Sequence, residues 1–270
     1  MSYLDSYDKK KFLEELHDYK DSLVKHPIEA SSIISALIEN STRIEGSTLT
    51  QKEVEDLLEY GIEPNKPDHE KSMVRDYSDG LLFVMKLYQN KIPLSIQSLE
   101  PLNRNVMKRN GEVKPVGVDR VVDTSLGKIR NVDVSWGWHR FMPHAQVKEN
   151  LELVLSFINA DIKNEKDMID IYRLSFQIHY DVITIHPFPD GNSRTSRLLM
   201  NYIQGWYQQP LTTVLFEYKH QYKNALHYSW DENNPEFFIN YMFNHTIDFF
   251  RFIKKTHHIG KGIKKKILYG

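Results

Sequence analysis

The segment from Asp167 to Ile185 constrains the fold more than any other stretch of this chain. Apolar side chains recur at Ile171, Leu174, Ile178, Val182 and Ile185, the three-and-four spacing of one helix face. Ile169, Phe176 and Ile183 give the same helix a second apolar face. A helix that is apolar on two faces cannot lie on a surface, so the remaining elements must pack around it. Pro187 ends it, because proline disfavours the helical conformation in the preceding residue and has no N–H of its own. Gly191 then permits a tight turn, and Asn192 or Ser193 is a candidate N-cap for a second helix over 194–207.

The connection between these helices concentrates chemistry: His186-Pro187-Phe188-Pro189-Asp190-Gly191-Asn192-Ser193-Arg194-Thr195-Ser196-Arg197. The first N–H groups of a helix lack internal partners and carry partial positive charge, which suits an anion. Arg194 and Arg197, three apart, share one face of the second helix and match phosphate oxygens in forked pairs. Asp190 would repel bare phosphate, but it becomes a ligand if Mg²⁺ sits between them. His186, with an ordinary pKa near ~6.5, can take a proton from a hydroxyl. The residues therefore describe a polyphosphate cradle with a base beside it, and hence nucleotidyl or phosphoryl transfer.

This stretch resembles the signature of Fic domains, His-x-Phe-x-Asp/Glu-Gly-Asn-Gly-Arg-x-x-Arg. Every fixed position agrees except Ser193, where most members carry glycine. The resemblance implies a mainly α fold, a helical bundle with a small β-hairpin flap. It implies transfer of AMP from ATP to a Tyr, Ser or Thr hydroxyl of a target protein, including the chain itself. In that likeness His186 is the base and Asp190 the Mg²⁺ ligand. Gly191, Asn192 and Ser193 supply the anion loop, Arg194 binds the α- and β-phosphates and Arg197 the γ-phosphate.

Upstream, Ser41-Thr42-Arg43-Ile44-Glu45-Gly46 resembles the family's inhibitory motif, Ser/Thr-x-x-x-Glu-Gly/Asn. The likeness implies that Glu45 pairs with Arg197 and fills the γ-phosphate space, so that ATP binds unproductively. A helix over 28–45 would carry Ser41 and Glu45, with Gly46 at its C-terminal stop. Gly127-Lys128-Ile129-Arg130, followed by Val132 and Val134, resembles the flap that docks a target segment as an added strand. Alternation over 131–136 predicts a strand there, with a turn at 136–139 and a return over 140–142.

Further helices are expected over 9–25, closed by Pro27, then over 50–60 with Thr50 as cap, 68–90, 95–110, 145–160, 218–229 and 235–253. Val116, Val118, Val121 and Val122 enrich the segment before the flap in β-branched residues. Three regions follow: an N-terminal helical part over 1–110 with the inhibitory helix, a core over 111–253, and a lysine-rich, solvated tail over 254–270.

Composition narrows the function. Hydrophobic residues make up 40% of 270, and the formal net charge is −1. Near-neutral charge argues against wholesale nucleic-acid binding. The chain has no cysteine, which removes disulfides, thiolate catalysis and cysteine metal sites. No apolar run reaches the ~18 residues of a membrane helix, and no signal pattern opens the chain, so a cytoplasmic protein is expected. The sequence does not set the oligomeric state. Three alternatives stay open: removal of AMP by water that Glu45 activates, phosphotransfer, and a non-catalytic nucleotide-binding or peptide-docking module.

Overall fold

The computed structural model describes residues 4–25, 30–116 and 120–268. Ten α-helices dominate the described residues. They are α1 (Lys9–Lys25), α2 (Ala30–Ile44), α3 (Gln51–Glu59), α4 (Asp68–Gln89), α5 (Ile96–Met107), α6 (His144–Asp161), α7 (Met168–Ile185), α8 (Asn192–Trp206), α9 (Lys219–Asp231) and α10 (Glu236–Leu268). The expectations at Pro27 and Val118 lie outside the described residues.

The double-faced helix does sit in the middle. Leu174, Ile178, Val182 and Ile185 of α7 join a core built with α3, α4, α5, α6 and α8. Ile169, Tyr172, Phe176 and Ile183 join a second core with α1, α2, α9 and α10. α8 packs along α7, and Gly80 of α4 lets it approach α8 closely. A Cβ there would lie 2.9 Å from Leu198 and from Val106. The first core thus joins α4 and α5 to α8 across residue 110.

Local signals account for most helix ends. Thr50 accepts from the Glu53 N–H while Glu53 reaches back to the Thr50 N–H, a reciprocal cap for α3. α10 continues past 253 through Leu268 instead of giving way to a loose tail. No proline interrupts that stretch, and Lys254 is held by Glu15 at 3.2 Å and by Asp18.

Two short antiparallel hairpins lie between α5 and α6. In the first, β1 (Val113–Val116) pairs with β2 (Arg120–Asp123), Lys114 facing Val122. In the second, β3 (Ser135–Trp136) pairs with β4 (His139–Arg140). The expected strand over 131–136 is therefore reduced to two residues, and the valine-rich segment before it forms a hairpin of its own. Chain preceding β3 is diverted because the Arg130 N–H donates to the Pro187 carbonyl, not to a strand.

Candidate active site

α7 delivers His186. Asp167 caps the helix by accepting from the Asp170 N–H. At the far end His186 leaves it in a left-handed conformation, φ 53° and ψ 60°. Such a turn costs a non-glycine residue about 1 kcal/mol or more, so something must hold it. Arg130 does: its Nε donates to the His186 carbonyl at 2.7 Å, and its Nη2 to the carbonyls of Ile185 (3.3 Å) and Met142. Nη1 donates to the Val132 carbonyl at 2.9 Å. The guanidinium thus sits on the negative end of the α7 dipole.

The imidazole is held in one orientation. Nδ1 lies 3.3 Å from the Ile183 carbonyl, which assigns the ring proton to Nδ1 and leaves the Nε2 lone pair available. The Phe141 ring stacks on it, centroids 3.7 Å apart and planes within 17°. Burial lowers the pKa to about 4, against the Ile183 hydrogen bond and with the help of Arg130. His186 is neutral at pH 7.

The loop that follows closes on itself. Asn192 Oδ1 accepts from the Phe188 N–H and its Nδ2 donates to the Phe188 carbonyl, each at 2.8 Å. Asn192 therefore does not cap α8, and neither does Ser193; the N-cap is Gly191, at φ 78°. A Cβ on Gly191 would fall 2.8 Å from the Met107 side chain and 2.9 Å from Asn103 Nδ2. Asn103 Nδ2 also donates to the Asp190 carbonyl at 3.1 Å, which pins the loop to α5.

Glu45, Ser41 and Arg197 are brought together as one cluster. Glu45 Oε1 accepts from Arg197 Nη2 and from the Ser193 hydroxyl, both at 2.9 Å. Ser193 Oγ in turn accepts from Arg197 Nη1 at 2.5 Å. Ser41 completes the ring, its Oγ accepting from Arg197 Nε at 2.7 Å and its carbonyl from Nη2 at 3.1 Å. Arg197 is fully enclosed, whereas the Glu45 side chain keeps 26% of its surface exposed. Burial works to raise the Glu45 pKa, but Arg197 and Arg194 outweigh it and the carboxyl is held below its usual value. Gly46, at φ 114°, turns the chain just beyond α2.

α2 is fixed firmly. Its Ala36, Leu37 and Ile44 lie in one core and its Ile38 in the other. Asn40 Oδ1 also accepts from the Phe216 N–H at 2.9 Å. Arg194 is turned differently from Arg197: Nη1 donates to Asn110 Oδ1 at 2.7 Å, while its buried Nε has no partner.

His186, Asp190, Asn192, Ser193, Glu45 and Tyr222 border one open cavity of about 260 Å³. Asp190 is the carboxylate beside the anion loop. Its Oδ1 accepts from the Gly191 N–H at 2.6 Å and its Oδ2 lies 3.1 Å from Lys114 Nζ. No three His, Asp or Glu side chains converge as a metal cage among the described residues. A divalent cation at Asp190 would thus complete its shell with substrate phosphate oxygens and water, as Mg²⁺ commonly does, and the donor set fits that ion.

The four flap residues differ in placement. Arg130 and Val132 are buried, Ile129 and Val134 half-buried, and the outward side is formed by Asn131, Asp133 and Ser135. Sequence reasoning missed the inward role of Arg130, whose partners are backbone carbonyls of other elements. It also missed Phe141, Asn110 and Lys114, none of which has a spacing that ties it to the loop. The Ser193 bond to Glu45 could have been sought once both motifs were in view.

Comparison with known proteins agrees with this geometry. Residues 93–204 match the model of the Fic/DOC family. Protein adenylyltransferase fic-1 of Caenorhabditis elegans is 27% identical over 230 residues, 81% of this chain and 42% of that protein. Protein adenylyltransferase Fic of Nematostella vectensis is 28% identical over 225 residues, 79% of this chain and 49% of that protein. The chain thus spans less than half the length of these relatives. Among solved structures, residues 134–508 of C. elegans Fic-1 superpose with a TM-score of 0.70 at 24% identity, covering 92% of this chain and 73% of that one. A Fic-domain signalling protein of Bacteroides thetaiotaomicron gives 0.71 at 22%, covering 92% and 97%. These likenesses show the fold. Over residues 93–204 this chain is similar to the Fic/DOC family, and its fold is the one these solved structures share.

Proposed function

We propose that this chain transfers AMP from ATP to a Tyr, Ser or Thr hydroxyl of a protein, its own included, and that Glu45 restrains the reaction. The observation that carries this reading is a neutral His186, Nε2 free, on the same cavity as an anion loop whose Arg197 is held by Glu45. The names of the relatives support it.

The target oxygen attacks the α-phosphorus and loses its proton to His186 Nε2. The bond from the α-phosphorus to the bridging oxygen breaks, and pyrophosphate leaves with that oxygen. Arg194 and the first N–H groups of α8 face the charge that develops on the phosphates. Mg²⁺ at Asp190, when bound, would neutralise phosphate charge. The protonated His186 then returns its proton to solvent. Target docking falls to the outward edge of the flap, since an unpaired strand edge accepts an added strand.

With ATP labelled at the α-phosphate, the wild type and Glu45→Ala should label protein, and His186→Ala should not. A base contributes about 10²–10⁴-fold, so the loss is easily read. Label on the His186→Ala protein at the wild-type rate removes His186 from the chemistry. Glu45 borders the same cavity with a quarter of its side chain exposed, which favours a second reading, removal of AMP by water that Glu45 orients. Release of AMP from a pre-labelled protein tests that direction.

A further inference from the structure

The lysine on the first hairpin reaches the anion loop. β1 and β2 form that hairpin, and its base is firmly tied. Thr124 N–H donates to the Glu112 carbonyl at 3.0 Å, and Glu112 N–H to Thr124 Oγ1 at 2.8 Å. Asp123 folds the exit by accepting from the Ser125 N–H at 2.9 Å. Arg104 of α5 holds the Leu126 carbonyl at 3.2 Å. One residue inside this base, Lys114 extends to Asp190 Oδ2 at 3.1 Å, with Glu112 farther off at 3.7 Å. Asp190 is fixed from behind, its Oδ1 by the Gly191 N–H and its carbonyl by Asn103 Nδ2. Among the described residues the one other cation beside its carboxylate is Arg194, whose Nη2 stands farther off, 3.7 Å from Oδ1.

Asp190 poses a charge problem. It stands beside a loop that receives phosphates, and like charges repel. A divalent cation resolves this when present. Without it, the carboxylate depends on the cations beside it, and Lys114 at 3.1 Å is nearer than Arg194 at 3.7 Å, whose Nη1 is engaged by Asn110.

We propose that Lys114 is the resident countercharge of Asp190, neutralising the carboxylate whenever no divalent cation does and so keeping the loop open to the phosphates of a nucleotide. The lysine is about half exposed, and its long stem lets the ammonium withdraw without moving the hairpin. Lys114 would thereby do for Asp190 what a divalent cation would do when bound. This rests on the nucleotide reading above.

The test is ATP binding, not turnover, measured by titration calorimetry at low ionic strength in EDTA and in saturating Mg²⁺. The proteins are wild type, Lys114→Met, Lys114→Glu, Asp190→Asn and the double variant of Lys114→Met with Asp190→Asn, with Lys52→Met as a control lysine elsewhere. Lys114→Met should weaken ATP binding in EDTA by about 1.4- to 5-fold, the span of a partly exposed ion pair. In Mg²⁺ its affinity should equal wild type. Lys114→Glu should lose more than Lys114→Met in EDTA. In the Asp190→Asn background Lys114→Met should lose nothing, because there is no charge left to neutralise. An equal loss in both buffers, no loss in EDTA, or a loss that survives Asp190→Asn each overturns the proposal. If the wild type binds ATP in neither buffer, the nucleotide reading itself falls and Lys114 falls with it.

Discussion

Replacing Glu45 by alanine should make the protein less stable and more active at once. The carboxylate accepts two hydrogen bonds, from Arg197 and from Ser193. Its loss leaves Arg197 enclosed without a carboxylate, with Ser41 and the hydroxyls of Ser193, Tyr77 and Tyr222 as its polar neighbours. Removing one member of a buried ion pair costs about 3–5 kcal/mol, and of an exposed pair about 0.2–1 kcal/mol. Here one partner is fully enclosed and the other is 26% exposed, so the loss lies between these bounds. We expect about 1–3 kcal/mol. Since 1 kcal/mol shifts Tm by about 2–4 °C in domains of 150–250 residues, the ligand-free variant should melt roughly 5 °C lower. A phosphate that takes the vacated place on Arg197 reverses this. At a hundred times Kd a ligand adds about 2.7 kcal/mol, so Mg²⁺-ATP should raise the Tm of Glu45→Ala more than that of wild type. Alanine keeps the helix, which separates relief from simple fraying of α2. Transfer from α-labelled ATP should rise well above wild type, and adding Arg197→Ala should cancel much of the gain. If Glu45→Ala melts with wild type and labels no better at saturating Mg²⁺-ATP, the carboxylate is a helix-end residue and restrains nothing.

Ser193→Gly should give labelling between wild type and Glu45→Ala, with AMP still the transferred group, and should add nothing in the Glu45→Ala background; a phosphorylated product from the wild type, read by mass spectrometry, would refute the assignment. Because burial holds His186 near pKa 4, transfer by Glu45→Ala should be level from pH 6 to 8 and fall only on an acid limb near 4; a limb near 6.5 would mean a solvated imidazole. His179, His186 and His245 all have pKa values lowered by burial, so each contributes stability above its unfolded pKa of ~6.5 that is lost as pH falls toward its folded value, about 1.4 kcal/mol per pH unit, which acid melting curves should show. Arg130→Met should lower kcat more than it raises KM and lower Tm, since it frees the α7 terminus and the His186 turn; an unchanged kcat would make Arg130 a packing residue alone.

Periodicity and breakers were enough to place α7, the turn and α8, because a doubly apolar helix leaves few alternatives. The contact of Glu45 with Arg197 was also legible, through two motifs 156 positions apart between Ser41 and Arg197. What escaped has a common physical cause. Arg130 binds carbonyls, which every residue possesses, so no side-chain pattern announces it. Lys114 meets Asp190 through a hairpin whose direction depends on how α5 ends. The N-cap of α8 moved to Gly191 because Asn192 found a better use, bridging both polar groups of Phe188. Intrinsic capping preference names the right residue types but cannot weigh a competing partner four residues back.

The way α2 is built into both cores governs how quickly the protein can change state. Its apolar residues and Asn40 are committed on both sides, so expelling the helix would expose much of two cores. Glu45 lies just past the last turn, part-exposed, and needs only side-chain rotation to leave Arg197. Rotations of exposed side chains take picoseconds to nanoseconds, whereas enzyme turnovers occupy about a millisecond to a second. If Glu45 restrains transfer as proposed, held and released forms would interconvert many times within each turnover. Progress curves should start without a lag, and an activator would work best as a small wedge in the cavity mouth, not as a lever on the helix.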